Sequence, residues 1–173
     1  LLIDLNSLEE ARENLLKANR LDPKLINTYI NLGALEGKLK NYNQEIIYYK
    51  KALEIDPNSD IVNYNLSVVY ISQRDFHTAK KYLKKTIDIN PKFYNALTNM
   101  GGIFLAEGDK EKAISYFNKA VDNNSNNAEA YRLISDNTEF TSVDALVERM
   151  IEVAKQSVNL KKNQMHINFA LGK

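Results

Sequence analysis

Tyr49-Lys50-Lys51-Ala52-Leu53-Glu54-Ile55-Asp56-Pro57 decides the fold of this chain, because it closes an apolar helical pattern on an Asp-Pro pair that recurs. Pro23, Pro57 and Pro91 stand 34 residues apart, each after Asp or Asn (Asp22, Asp56, Asn90), and one more step reaches Asn124-Ser125. Proline disfavours the α conformation in the residue before it, so each pair ends a helix. A fixed period in this range marks one supersecondary unit stacked on itself.

The period extends past proline. Eight residues into each unit stand Gly33, Ser67, Gly101 and Ser135, preceded by Leu32, Leu66, Met100 and Ile134. Later come Ala11, Glu45, Ala79 and Ala113, then the large apolar Leu15, Tyr49, Leu83 and Phe117, then Ala18, Ala52, Thr86 and Ala120. Small residues opposite large ones let two helices approach and interdigitate. The apolar spacing predicts paired helices over Ile26–Lys40 and Gln44–Ile55. Between them, Lys40-Asn41-Tyr42-Asn43, Arg74-Asp75-Phe76 and Gly108-Asp109-Lys110 offer a residue for the turn and then Asn or Asp to cap the next helix.

These residues resemble the tetratricopeptide repeat family. Tyr29-Ile30-Asn31-Leu32-Gly33 looks like its aromatic-x-Asn-Leu-Gly opening, and Tyr49 to Pro57 like its aromatic-x-Lys-Ala-Leu-Glu-x-Asp-Pro close. The resemblance implies an all-α, right-handed superhelical solenoid of antiparallel helix-turn-helix repeats with a C-terminal capping segment. Its expected divisions are a truncated repeat over 1–25, full repeats over 26–59, 60–93 and 94–127, and over 128–173 a degenerate repeat, C-terminal helices and the start of a further repeat. Glu45 for Ala, Asn63 for the opening aromatic and Ser125 for proline are departures expected to loosen packing in their copies.

After residue 127 the period decays. Thr141-x-x-Asp144 reads as a capping box. It opens an apolar stripe of Val143, Leu146, Val147, Met150, Ile151 and Ala154, expected to cap the last repeat, the alternative being that it docks on a following catalytic domain. Phe169-Ala170-Leu171-Gly172-Lys173 looks like the opening of another repeat. Residues 128–173 also resemble the repeat region that precedes a sulfotransferase domain in some bacterial proteins. That likeness implies a substrate-recognition role beside a catalytic domain outside this sequence. Without an initiator Met or a basic opening, Leu1-Leu2-Ile3-Asp4 is neither a signal peptide nor a native start, so a longer parent chain is expected.

Composition narrows the partners. Lys and Arg total 23 against 22 Asp and Glu, a net charge of +1 that lacks the basic excess of nucleic-acid or membrane-surface binders. With no Cys there is neither a disulfide framework nor a thiolate metal site, and a cytoplasmic setting is expected. His77 and His166 fit no metal-ligand spacing, and Gly101-Gly102 lacks the Gly-Lys-Ser/Thr that a phosphate-cradling loop needs. No catalytic residue, metal or cofactor is therefore expected.

Family geometry implies instead that first helices line a concave groove for a protein or an extended peptide. The expected groove residues are Asn27, Ile30, Asn31 and Lys38, then Tyr64, Asn65 and Val68, then Asn95, Thr98 and Asn99, with Ala34, Ile61, Ser72, Gly102 and Leu105 on the same faces. Asn31, Asn65 and Asn99 stand 34 apart. A carboxamide both donates and accepts, so such a ladder could hold a peptide by its backbone. The cations of the family's carboxylate clamp are missing, since Asn27, Ile30 and Thr98 occupy their places and Lys38 and Arg132 stand alone.

Overall fold

A computed structural model of the chain describes residues 2–138 and residue 148. The helix expected over Ser142–Gln156, its capping role and the Phe169–Lys173 opening lie outside the described residues, Glu148 apart. The described chain is eight helices: α1 (Leu2–Leu21), α2 (Ile26–Lys38), α3 (Tyr42–Ile55), α4 (Asp60–Ser72), α5 (Phe76–Ile89), α6 (Tyr94–Ala106), α7 (Lys110–Asn123) and α8 (Ala128–Asn137). Two compact units divide the chain, residues 1–89 and 90–173.

Within each unit a first-type helix (α2, α4, α6) packs on the second-type helix that follows it (α3, α5, α7). The small-on-large pairing is what seats them. A Cβ added to Gly33 would fall 2.5 Å from the Tyr49 ring, and one added to Gly101 would fall 2.6 Å from the Phe117 ring. Neither space admits a methyl group. In unit 1, Tyr29 from α2, Tyr49 and Ala52 from α3, and Val62, Leu66 and Val69 from α4 form one buried cluster, with Ile30 packed at its edge.

Two kinds of turn repeat with the period. The first ends α2, α4 and α6 on Lys40, Arg74 and Gly108, whose φ values are 61°, 60° and 87°. This left-handed residue lets the following N–H reach back to an orphan carbonyl (Asn41 to Glu36, Asp75 to Tyr70, Asp109 to Phe104, each 2.9 Å). Only the third copy uses glycine, which adopts that conformation without a Cβ penalty. In the second turn, the Oδ1 of Asp22, Asp56, Asn90 and Asn124 accepts from the N–H two residues on, at 3.0, 3.0, 3.2 and 3.1 Å. The fourth of these turns forms with Ser125 in place of proline. The Asx side chain, common to all four, therefore forms the turn with or without proline.

The other two departures differ. Asn63 is fully buried; its Nδ2 donates to the Ser59 carbonyl at 2.7 Å, but its Oδ1 has no partner. A buried, unpaired acceptor is costly, as expected for that copy. Glu45 is accommodated by a change elsewhere. A Cβ on Gly37 would meet the Glu45 carboxylate at 2.7 Å, whereas the same position in later copies holds Ile71 and Leu105. Small and large have exchanged helices, and the space stays filled.

Candidate functional site

Helical periodicity settles which side chains of the first-type helices remain open. On α2, residues 27, 31, 34 and 38 are exposed and residue 30 is half-buried. On α4, residues 61, 68 and 72 are exposed and 64 and 65 half-buried. Both sets run i, i+3, i+4, i+7, i+11, which is one stripe of a helix. On α6, Asn95 is exposed and Thr98, Asn99 and Gly102 are half-buried in the same register, which continues to the exposed Ala106; Leu105, expected on this face, lies one position off it, aligned with Gly37 and Ile71. The stripe opposite carries Leu32, Leu66 and Met100 into the cores.

The sequence-predicted groove residues thus sit on these stripes in two groups. Asn27, Ile30, Asn31, Lys38, Tyr64, Asn65 and Val68 belong to unit 1, and Asn95, Thr98 and Asn99 to unit 2. Their environments differ. Ile30 contributes to the edge of the unit 1 core. The Thr98 hydroxyl donates to the Tyr94 carbonyl at 2.9 Å and accepts from Asn127 Nδ2 at 3.0 Å. Asn127 Oδ1 in turn accepts from the Ala130 N–H at 3.1 Å and caps α8. Sequence spacing alone gave no sign of that tie.

The stripes are almost uncharged. Lys38 is the only ionisable residue apart from the Tyr64 phenol among the positions named on α2, α4 and α6. The outward face of α5, by contrast, exposes His77, Lys81, Lys84, Lys85 and Asp88. On α8 the corresponding face carries Arg132, whose guanidinium donates to Glu129 Oε1 and to Asp136 Oδ2, both at 2.8 Å. The two carboxylates hold Arg132 protonated and engaged, so it does not stand alone, as its sequence context suggested, and is no spare cation for a ligand carboxylate.

A polar cavity of about 560 Å³ lies away from the stripes, at the turn between α2 and α3. Arg12, Glu36, Lys40, Asn41, Tyr42, Asn43, Gln44 and Gln73 line it. Glu36 is fully buried; Arg12 Nη2 donates to its Oε1 at 2.6 Å and Asn41 Nδ2 to its Oε2 at 2.9 Å. Asn41 therefore does not cap α3, a correction to the sequence reading. Asp75 and Asp109 do cap their helices, accepting from the Thr78 and Lys112 N–H groups at 3.0 and 3.1 Å. Those bonds, backbone and side-chain together, hold both carboxyls below their ordinary range. In the later copies Tyr70 and Phe104 replace Glu36 and stack on Tyr82 and Tyr116, with ring centroids 5.7 and 5.5 Å apart. Among the described residues no cluster of potential ligands could hold a metal, and no helix is long and apolar enough to cross a membrane.

Paired antiparallel helices with a 34-residue period define an all-α repeat solenoid. Tetratricopeptide repeat family models match residues 26–59, 48–81 and 70–136, and the chain belongs to the tetratricopeptide repeat family. No curated protein matches it in sequence. Solved structures share the fold. One is a MamA crystal structure (18% identity, TM-score 0.69, covering 98% of this chain and 90% of that one). Another is MamA from residue 41 onward from Desulfovibrio magneticus RS-1 (17%, TM-score 0.69, 98% and 87%). A third is YrrB, described as a tetratricopeptide repeat protein with an unusual peptide-binding site (19%, TM-score 0.68, 93% and 84%).

Proposed function

We propose that this chain is a non-catalytic scaffold that binds an extended peptide or protein segment on the open stripes of its first-type helices. The observation that carries this reading is the recurrence of one nearly uncharged register on α2, α4 and α6, with exposed positions on each helix and half-buried ones between them. The solvent face of an amphipathic helix ordinarily carries charged and polar residues, as the outward face of α5 does. Asn31 and Asn65 in unit 1 supply carboxamides that can pair with both groups of a peptide bond. The peptide-binding description of YrrB, a protein of the same fold, agrees with such a role.

The ligand would be held by its backbone, so the asparagines should matter to binding and little to folding. Asn31→Ala or Asn65→Ala should weaken a bound peptide by about 1 kcal/mol, the scale of a neutral hydrogen bond, at unchanged Tm. Unchanged affinity with a lowered Tm would make both asparagines structural. The alternative of a substrate-recognition region for a bacterial sulfotransferase rests on the sequence of the tail. It would be tested by sulfotransferase activity of any protein that carries this chain beside a phosphate-binding domain, and inactivity there would end it.

A further inference from the structure

The open face of unit 1 also constrains the chemistry of what lies on it. We infer that α2 and α4 select an extended segment with apolar side chains, bearing no acid or base where it crosses α4; this rests on the groove reading above. Ile61 and Val68 are 50% and 40% exposed on α4, two turns apart on one stripe, with Tyr64 half-buried between them. Both helices lie against α3 and feed one buried cluster, so these side chains are presented from a fixed platform. An apolar ligand side chain set against Ile61 or Val68 removes apolar area from water on both partners. A charged one set against Val68 would lose hydration and gain no counter-ion, because the α4 stripe (Ile61, Tyr64, Asn65, Val68, Ser72) holds no formal charge and the carboxylate of Asp60 stands two turns away at the start of α4, where it accepts from the Ile61 N–H.

Charge complementarity also sets the limit of that rule. Among the described residues, Lys38, exposed at the C-terminal end of α2, is the one cation on the α2 and α4 stripes, and no ion pair forms to it. A single carboxylate is admitted beside it. The carboxamides of Asn31 and Asn65 fix the ligand backbone, while Ile61 and Val68 choose its side chains. On α8 the counterpart face is Glu129, Arg132 and Asp136, where no such selection for apolar groups exists.

The test is selection of a random nonapeptide phage library on the full 173-residue chain. An enriched peptide is then synthesised and its Kd measured against the parent, Ile61→Ser, Val68→Ser, Asn31→Ala and Asn65→Ala. Enrichment of apolar residues, with charge confined to at most one acidic end, supports the inference, as does a weakening of about fivefold in each serine variant at unchanged Tm. Central acidic or basic residues, or serine variants that bind like the parent while an asparagine variant weakens, overturn the ligand class and leave the groove standing. If no enriched peptide is weakened by any of the four substitutions, the groove reading falls as well.

Discussion

Ile61, Val68 and Asn31 face solvent from the first-type helices, and Lys81, Lys84 and Lys85 face it from α5. Both surfaces are open, yet only the second is built as a solvated face, with pairs such as Lys84 to Asp88 at 2.8 Å. The first keeps aliphatic and amide groups where water-facing helices ordinarily carry charge. Exposure alone therefore does not distinguish the two faces; exposure combined with missing charge, at a fixed register in successive copies, does, and that is the face we propose for ligand.

The largest effect that bears on this comparison belongs to the packed side. Phe117 is fully buried against Gly101, so Phe117→Ala should cost about 4 kcal/mol in chemical denaturation. Val68→Ser, on an open stripe, should stay within about 0.5 kcal/mol of the parent. A comparable loss from both would erase the distinction between the faces.

Next in size is the polar turn of the first full repeat. Arg12→Ala leaves the fully buried Glu36 carboxylate with Asn41 as its remaining donor, and should cost about 3 kcal/mol. Adding Glu36→Gln removes the stranded charge and should recover most of that loss. If the double variant is no better than the single one, Arg12 contributes packing and its charge is incidental.

Smallest is a pH effect at Glu45. Burial raises its carboxyl above the ordinary range, against the opposing hydrogen bond from Tyr49. The folded state therefore holds a proton that the unfolded state has already released, and stability falls as pH rises from the ordinary carboxyl pKa through the raised one. Glu45→Gln should flatten that slope and gain stability at neutral pH, by less than either effect above. Denaturant midpoints from pH 4 to pH 8 check it; a slope that survives the substitution assigns the titration elsewhere.

The period, the small-on-large pairs and the Asp/Asn turns were legible because each depends on residue type at a fixed step. The turn residues were less so. Lys40 and Arg74 adopt positive φ without being glycine, and only their alignment with Gly108 gives them away. The Arg12–Glu36 pair spans 24 residues and two helices. Its one signal was an acid standing where Tyr70 and Phe104 stand. Likewise Glu45 was readable as a misfit, but its remedy, Gly37, lay on the facing helix and needed packing to be seen. The stripes of α2 and α4 were legible in register, whereas on α6 Leu105 was placed one position off. What the sequence could not show was that Thr98 is tied to the cap of α8 through Asn127.

The central claim is that ligand meets the first-type helices and not the charged faces. An isotope-labelled chain titrated with a library-selected nonapeptide, followed by amide chemical shifts, tests it most directly. The account predicts shifts concentrated at Asn27, Asn31, Ala34, Ile61, Asn65 and Val68. Shifts concentrated at Lys81, Lys84, Lys85 and Asp88 would contradict it.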